Sequence, residues 1–257
     1  MDPGHRTPLV DFFRRGEVAR DVKLLAAQGA FAPRALDQLA LLLVLKDDSD
    51  PEVATSAAST IERLPRPALE AFLGRADVPQ EMRQYFGALG ISAGGVVEDA
   101  DAPLIDTSEA LPEAPEGPEG DEAAAAATLA GLGVMEKMKL ATKGTREQRA
   151  VLVRDPNRLV AAAVLSSPKL TESEVEQFAK MANVAEDVLR VIGTNRAWTK
   201  NYGVVAGLVR NPKTPLAISM TLLQRINDRD VKMLAIDRNI PDPLRIAARK
   251  RATANRV

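Results

Sequence analysis

The sequence predicts an all-α fold assembled from short helices, and three observations carry that expectation. Leu, Ala and Val supply the apolar residues while aromatics make up only 4% of the chain, a balance that suits helix surfaces better than pleated sheet faces. Helix-start signals recur: Thr171 and Glu174 form T-x-x-E, and Asp50-Pro51, Asp155-Pro156 and Thr214-Pro215 set a cap residue before a proline. In the first, each side chain takes a backbone N–H of the opening turn; in the others, the missing proline N–H costs nothing at the first helical position. Apolar residues then follow at helical spacing, as in Val175, Phe178, Ala179 and Ala182, or Leu222, Leu223 and Ile226.

At 257 residues, with 46% hydrophobic and 27% charged residues, the chain has length for one large or two small cores. Its formal net charge of -1 conceals three regions. Residues 1–97 carry a net -2, residues 98–128 carry -10 with no basic residue, and residues 129–257 carry +11. The middle stretch also holds Pro103, Pro112, Pro115 and Pro118 and lacks apolar periodicity, the composition of a disordered tether. The expected organisation is an N-terminal helical domain over 1–92, an acidic disordered linker over 93–128 and a basic C-terminal domain over 129–257. The linker reads as a solvated spacer or as an acidic interaction segment.

Internal similarity supports a repeated unit. A shift of 44 sets VAAAVLSSPK (160–169) on VVAGLVRNPK (204–213) and continues through Leu189 and Met233, Ile192 and Ile236, to Asn195 and Asn239. A shift of 162 sets residues 62–83 on 224–245, pairing Asp77 with Asn239, Pro79 with Pro241 and Arg83 with Arg245. The segments DVPQEMR, NIPDPLR and RDPNRLVAAAVLSSPKLTESEV resemble HEAT-like repeats of the leucine-rich-repeat-variant kind, and the chain is similar to uncharacterised bacterial proteins built from them. The resemblance is clearest over 134–252. It implies an α-solenoid of stacked helix pairs that binds another macromolecule, and it brings no catalytic residues.

The stretch NRAWTKNY (195–202) holds the single tryptophan and one of two tyrosines. Wound as one helix from Arg196 to Val209 and capped by Asn195, it places Trp198, Tyr202, Val205 and Val209 on one face, so Trp198 and Tyr202 read as core. Arg196, Lys200, Gly203, Gly207 and Arg210 line the other face as a candidate partner-binding stripe. Its two glycines each lower helix propensity by about 1 kcal/mol relative to alanine, which calls for a closely packed neighbour: another helix or a ligand backbone. Asp77, Asp155, Asn195 and Asn239 read as helix caps of successive repeats.

Several chemistries are excluded or unsupported. The chain has no cysteine and one histidine, His5 in the N-terminal tail, which removes thiolate chemistry and leaves no histidine base in the expected folded part beyond that tail. P-loop, G-x-S-x-G and H-E-x-x-H patterns are absent. No catalytic residue, metal site or cofactor is expected, and no apolar run is long enough for a bilayer, so the expected location is the cytoplasm. The expected role is a non-enzymatic scaffold whose helical surface binds a protein partner, an acidic one by charge complementarity. The alternative is nucleic-acid binding by the basic C-terminal domain.

Overall fold

Local capping chemistry sets where the helices begin. The computed structural model describes residues 2–32, 34–94, 102–105 and 122–254, and these form sixteen α-helices and no strand. The N-terminal part contains α1 (Pro8–Arg14), α2 (Arg20–Ala27), α3 (Ala35–Leu45), α4 (Pro51–Glu62), α5 (Arg66–Leu73) and α6 (Gln80–Ala88). The C-terminal part contains α7 (Glu122–Leu129), α8 (Val134–Lys143), α9 (Arg146–Leu152), α10 (Arg158–Leu165), α11 (Glu172–Lys180) and α12 (Glu186–Thr194). After a 3-10 turn (Trp198–Lys200) come α13 (Tyr202–Arg210), α14 (Leu216–Leu223), α15 (Asp228–Leu234) and α16 (Asp242–Ala254). Thr7, Asp50, Thr145, Asn157, Thr171, Asn201 and Asn227 each accept a first-turn backbone N–H through their side chains.

The expected linker boundary moves. The alanine run from Ala123 to Ala127 is helical, as the high helix propensity of alanine favours, and belongs to α7, which packs on α9. Glu122 at its start pairs with Arg154 at 2.7 Å. Within the acidic stretch, Leu104 and Ile105 pack against the core. Residues 95–101 and 106–121, where most of the disordered tether was expected, lie outside the described residues.

Packing follows rows. Helices α7, α9, α11 and α13 each pack on the next in one row, and α8, α10, α12, α14 and α16 include the pairs α8–α10, α10–α12, α12–α14 and α14–α16 in a second. The caps Thr145, Thr171, Asn201 and Asn227 open α9, α11, α13 and α15 at intervals of 26, 30 and 26 residues. The 44-residue register cuts across this arrangement, because it superimposes α10 of one row on α13 of the other. Its later pairs diverge accordingly: Leu189 and Ile192 are fully buried, whereas Met233 and Ile236 are exposed. The 162-residue register matches the structure in detail. Leu69 and Val231, Phe72 and Leu234, Met82 and Leu244 are buried pairwise. Arg83 donates to the carbonyl of Arg75 and Arg245 to that of Asp237, so equivalent arginines satisfy the carbonyls just past α5 and α15.

Two helices are apolar nearly all round. In α3, Ala35, Leu39 to Leu43 and Leu45 are buried, and in α10 every residue from Leu159 to Leu165 is. Such helices must be covered on every side. Helix α1 lies against both, packing on α3 and on α10, and so joins the two parts of the chain. The polar residues inside α3 are satisfied: His5 bonds Asp37 at 2.8 Å, which brings the N-terminal tail into the fold, and Gln38 bonds backbone groups on two sides.

Between α9 and α11 runs a buried ion pair. Arg149 donates to Glu174 at 2.8 Å, with side chains 5% and 2% exposed. Glu174 also accepts from the Thr171 N–H at 3.0 Å and hydroxyl at 2.8 Å. Replacing Arg149 by Met leaves that carboxylate buried without its cation and is expected to cost about 3–5 kcal/mol in urea unfolding. The double variant Arg149→Met/Glu174→Leu is expected to recover most of the loss, because a buried pair and an apolar pair of similar volume are close in energy.

Candidate partner-binding groove

The second row aligns the N-terminal ends of its helices along one edge of the molecule. A cavity of about 660 Å³ is lined by Ala185 and Glu186 at the start of α12, Lys213 to Ala217 at the start of α14 and Pro241 at the start of α16. A second, of about 630 Å³, shares Ala185 and Lys213 with the first and continues past the start of α10 to Pro8, Asp11, Phe12 and Arg15 of α1. Together they form one groove along four successive helix starts.

Its chemistry favours an anion. Ala185 and Pro215, the residues before α12 and α14, make no side-chain cap bond; Glu186 and Asp187 in the first turn of α12 offset its positive end, whereas the first turn of α14 has no acidic residue and keeps its partial positive charge unmatched. Arg158 and Arg190 flank the groove but are paired, with Asp187 at 3.2 Å and Glu186 at 2.5 Å. Lys213, exposed where the two cavities meet, has no carboxylate partner among the described residues. Beside it, Thr214 is 3% exposed and its hydroxyl has no hydrogen-bond partner. The expected Thr214-Pro215 cap therefore does not form: Pro215 itself occupies the cap position, and Thr214 sits one residue too early to reach the first-turn N–H groups.

The stripe inferred from the sequence is divided between two elements. The chain does not run as one helix from Arg196 to Val209. The Asn195 carboxamide accepts from the N–H groups of Ala197 and Trp198, and Asn201 accepts from Gly203 at 2.7 Å. Two caps six residues apart confine 196–200 to a turn and start α13 afresh. Arg196 and Lys200 are exposed on that turn. Gly203 and Gly207 face α11: the Glu176 carboxylate fills the space a Gly203 Cβ would occupy, and a Cβ on Gly207 would lie 3.2 Å from that of Ala179. The glycines thus permit close approach of α11 and α13. Arg210 pairs with Asp230 of α15 at 2.5 Å.

Of the aromatic pair, Trp198 is partly buried against the core, but Tyr202 is 42% exposed and stands outside it. Its hydroxyl donates to Asp230, so Tyr202 and Arg210 clasp α15 from α13. Burial, then the hydrogen bond to Asp230, raise the Tyr202 pKa above the ordinary tyrosine value. Among the four expected caps, Asn195 caps the 3-10 turn. Asp155, two residues before the α10 cap, accepts from the Asn157 N–H at 2.8 Å, and Asn157 is the cap. Asp77 is held by Arg75, whose hydrogen bonds keep its carboxyl below the usual range. Asn239 donates its backbone N–H to Asp237 and caps nothing through its side chain among the described contacts.

Among the described residues no group of three or more His, Asp or Glu could hold a metal ion, and no helix is long and apolar enough to cross a membrane. Comparison with protein-family models, curated proteins and solved structures returns no match to this chain.

Three outcomes test this geometry. Gly207→Val forces a branched side chain between α13 and α11 and is expected to cost about 1–3 kcal/mol, whereas Trp198→Ala, at a partly buried site, is expected to cost about 2 kcal/mol. In a Tyr85→Phe background, absorbance titration of Tyr202 is expected to give a midpoint above the ordinary value, falling when Asp230 becomes Asn. The sign follows from the raised folded pKa: the contact stabilises the fold below the unfolded tyrosine pKa and is lost as pH rises through the folded one.

Proposed function

We propose that this protein is a non-enzymatic interaction scaffold of the HEAT-like, leucine-rich-repeat-variant α-solenoid type, cytoplasmic, with its groove receiving an acidic segment of a protein partner. The observation that carries the reading is the alignment of helix starts around Lys213, where uncapped first turns and an unpaired cation face the same open groove. The row packing of α7 to α16 supports the solenoid. A groove running from α1 to α16 is long enough for an extended segment rather than a small metabolite.

Nucleic-acid binding is the second reading, and the +11 charge of residues 129–257 favours it. The apolar surface favours protein. Met233 on α15, Ile236 just past it and Ile246 on α16 are 56%, 70% and 62% exposed, side chains that find no complement on a phosphate backbone.

The readings separate in one titration series using a labelled peptide of alternating Glu, Asp and Leu, mixed-sequence duplex DNA and single-stranded RNA. The expected result is salt-sensitive peptide binding that Lys213→Glu weakens about tenfold at low salt, the scale of one lost charge-assisted contact. Reversal of Arg196 and Lys200 on the turn tests the alternative surface in the same assay. Tighter binding to DNA or RNA than to the peptide, unaffected by Lys213→Glu, would replace the scaffold reading with the nucleic-acid one.

A further inference from the structure

Gln38, the fourth residue of α3, is 1% exposed, an unfavourable place for a carboxamide unless every polar atom is matched. Each is. Nε2 donates to the carbonyls of Gly29 and Ile105, both at 2.9 Å, and Oε1 accepts the Ile105 N–H at 3.1 Å. Only one orientation of the amide serves, because a flip would set its oxygen against two carbonyls. The Gly29 carbonyl fixes that orientation. It belongs to a tight loop in which Gly29 has φ +94° and Phe31, buried and not glycine, has φ +71°, a conformation that costs energy and persists only where surroundings enforce it.

Gln38 thereby bonds both backbone polar groups of one residue, Ile105, in a segment that bends at Ala102, Leu104 and Ile105. Its present occupant comes from the acidic stretch, 67 positions away. Leu104 and Ile105 pack their side chains on the core. Main-chain bonding of this kind does not depend on the identity of the bound residue, and the flanking apolar contacts supply the selectivity.

We propose that this site on α3 is a peptide-binding site, occupied in cis by residues 102–105, which accepts in trans a bent segment bearing a bulky aliphatic pair from a partner protein. The site is separate from the groove at Lys213 and stands or falls independently of it. The cis segment acts as a built-in competitor, present at an effective concentration of about millimolar, so a partner segment must displace it.

The test uses the full chain and the peptide Asp-Ala-Pro-Leu-Ile-Asp-Thr, which reproduces residues 101–107. Hydrogen exchange at the Ile105 amide of the protein is followed without peptide and with about ten times the effective cis concentration, near 10 mM. The expected result is slow exchange alone and at least fivefold faster exchange with peptide. A second peptide, N-methylated at its isoleucine and so unable to donate to Gln38, is expected to leave exchange slow. In the Leu104→Asp/Ile105→Asp variant, labelled unmodified peptide is expected to bind at least tenfold more tightly than to the parent. Exchange that stays slow at 10 mM peptide would make the contact a fixed part of the fold and overturn the proposal, as would equal effects of the two peptides.

Discussion

Helix α1 packs on two helices at once, α3 and α10, and the arrangement of the whole chain depends on how it serves both. Pro8, Asp11, Phe12 and Arg15 fall on one stripe at helical spacing and line the groove beside α10 and α12. Leu9, Val10 and Phe13 are buried as well, and the helix packs on α3 besides α10. Because α3 and α10 have almost no polar face, neither can remain open to water, and one short helix covers part of both. The groove at Lys213 inherits its far wall from this contact. Without α1 docked on α10, the cavity nearest the N-terminal part would have no roof.

Around that joint, the helices are short and their ends numerous, so the unpaired backbone groups at those ends must be satisfied locally. The odd-numbered starts from α9 to α15 use Thr or Asn caps. Helix ends use polar side chains from the neighbour: Asn211 donates to the carbonyls of Ala179 and Met181, Ser167 to Thr142, and Arg251 to Leu223 and Ile226. The starts of α12 and α14 depart from this pattern, and the groove lies against them. At the start of α14, which has neither a side-chain cap nor an acidic first turn, the first-turn N–H groups lie beside the groove, where an anionic group can meet them.

How much of this was legible depended on the range of the interaction. Capping is local, and the Thr171–Glu174 box and the Asp50 cap stand where the residues place them. The 162-residue register also survived, since equivalent buried positions and the Arg83 and Arg245 clasps recur in both copies. The helix drawn through Trp198 failed on local grounds. Asn195 and Asn201 are both strong competitors for backbone N–H groups, and periodicity alone could not show that both would act. Glycine spacing at 203 and 207 revealed a close approach, and only the fold shows that α11 makes it. His5, Gln38 and Lys213 acquire their roles from contacts with distant or unfilled positions. Their sequence neighbourhoods carry no sign of them.

The account's central claim is that α1 unites the two helical parts into one cooperative body that completes the groove. The direct measurement is thermal unfolding of the full chain, followed by far-ultraviolet circular dichroism and by fluorescence of Trp198, the sole tryptophan, which lies in the C-terminal part. The parent is expected to give one transition with coincident midpoints, and Phe12→Asp, which puts a charge at the α1 contact, to lower both together. Two separate transitions, with the Trp198 midpoint unmoved by Phe12→Asp, would contradict the claim.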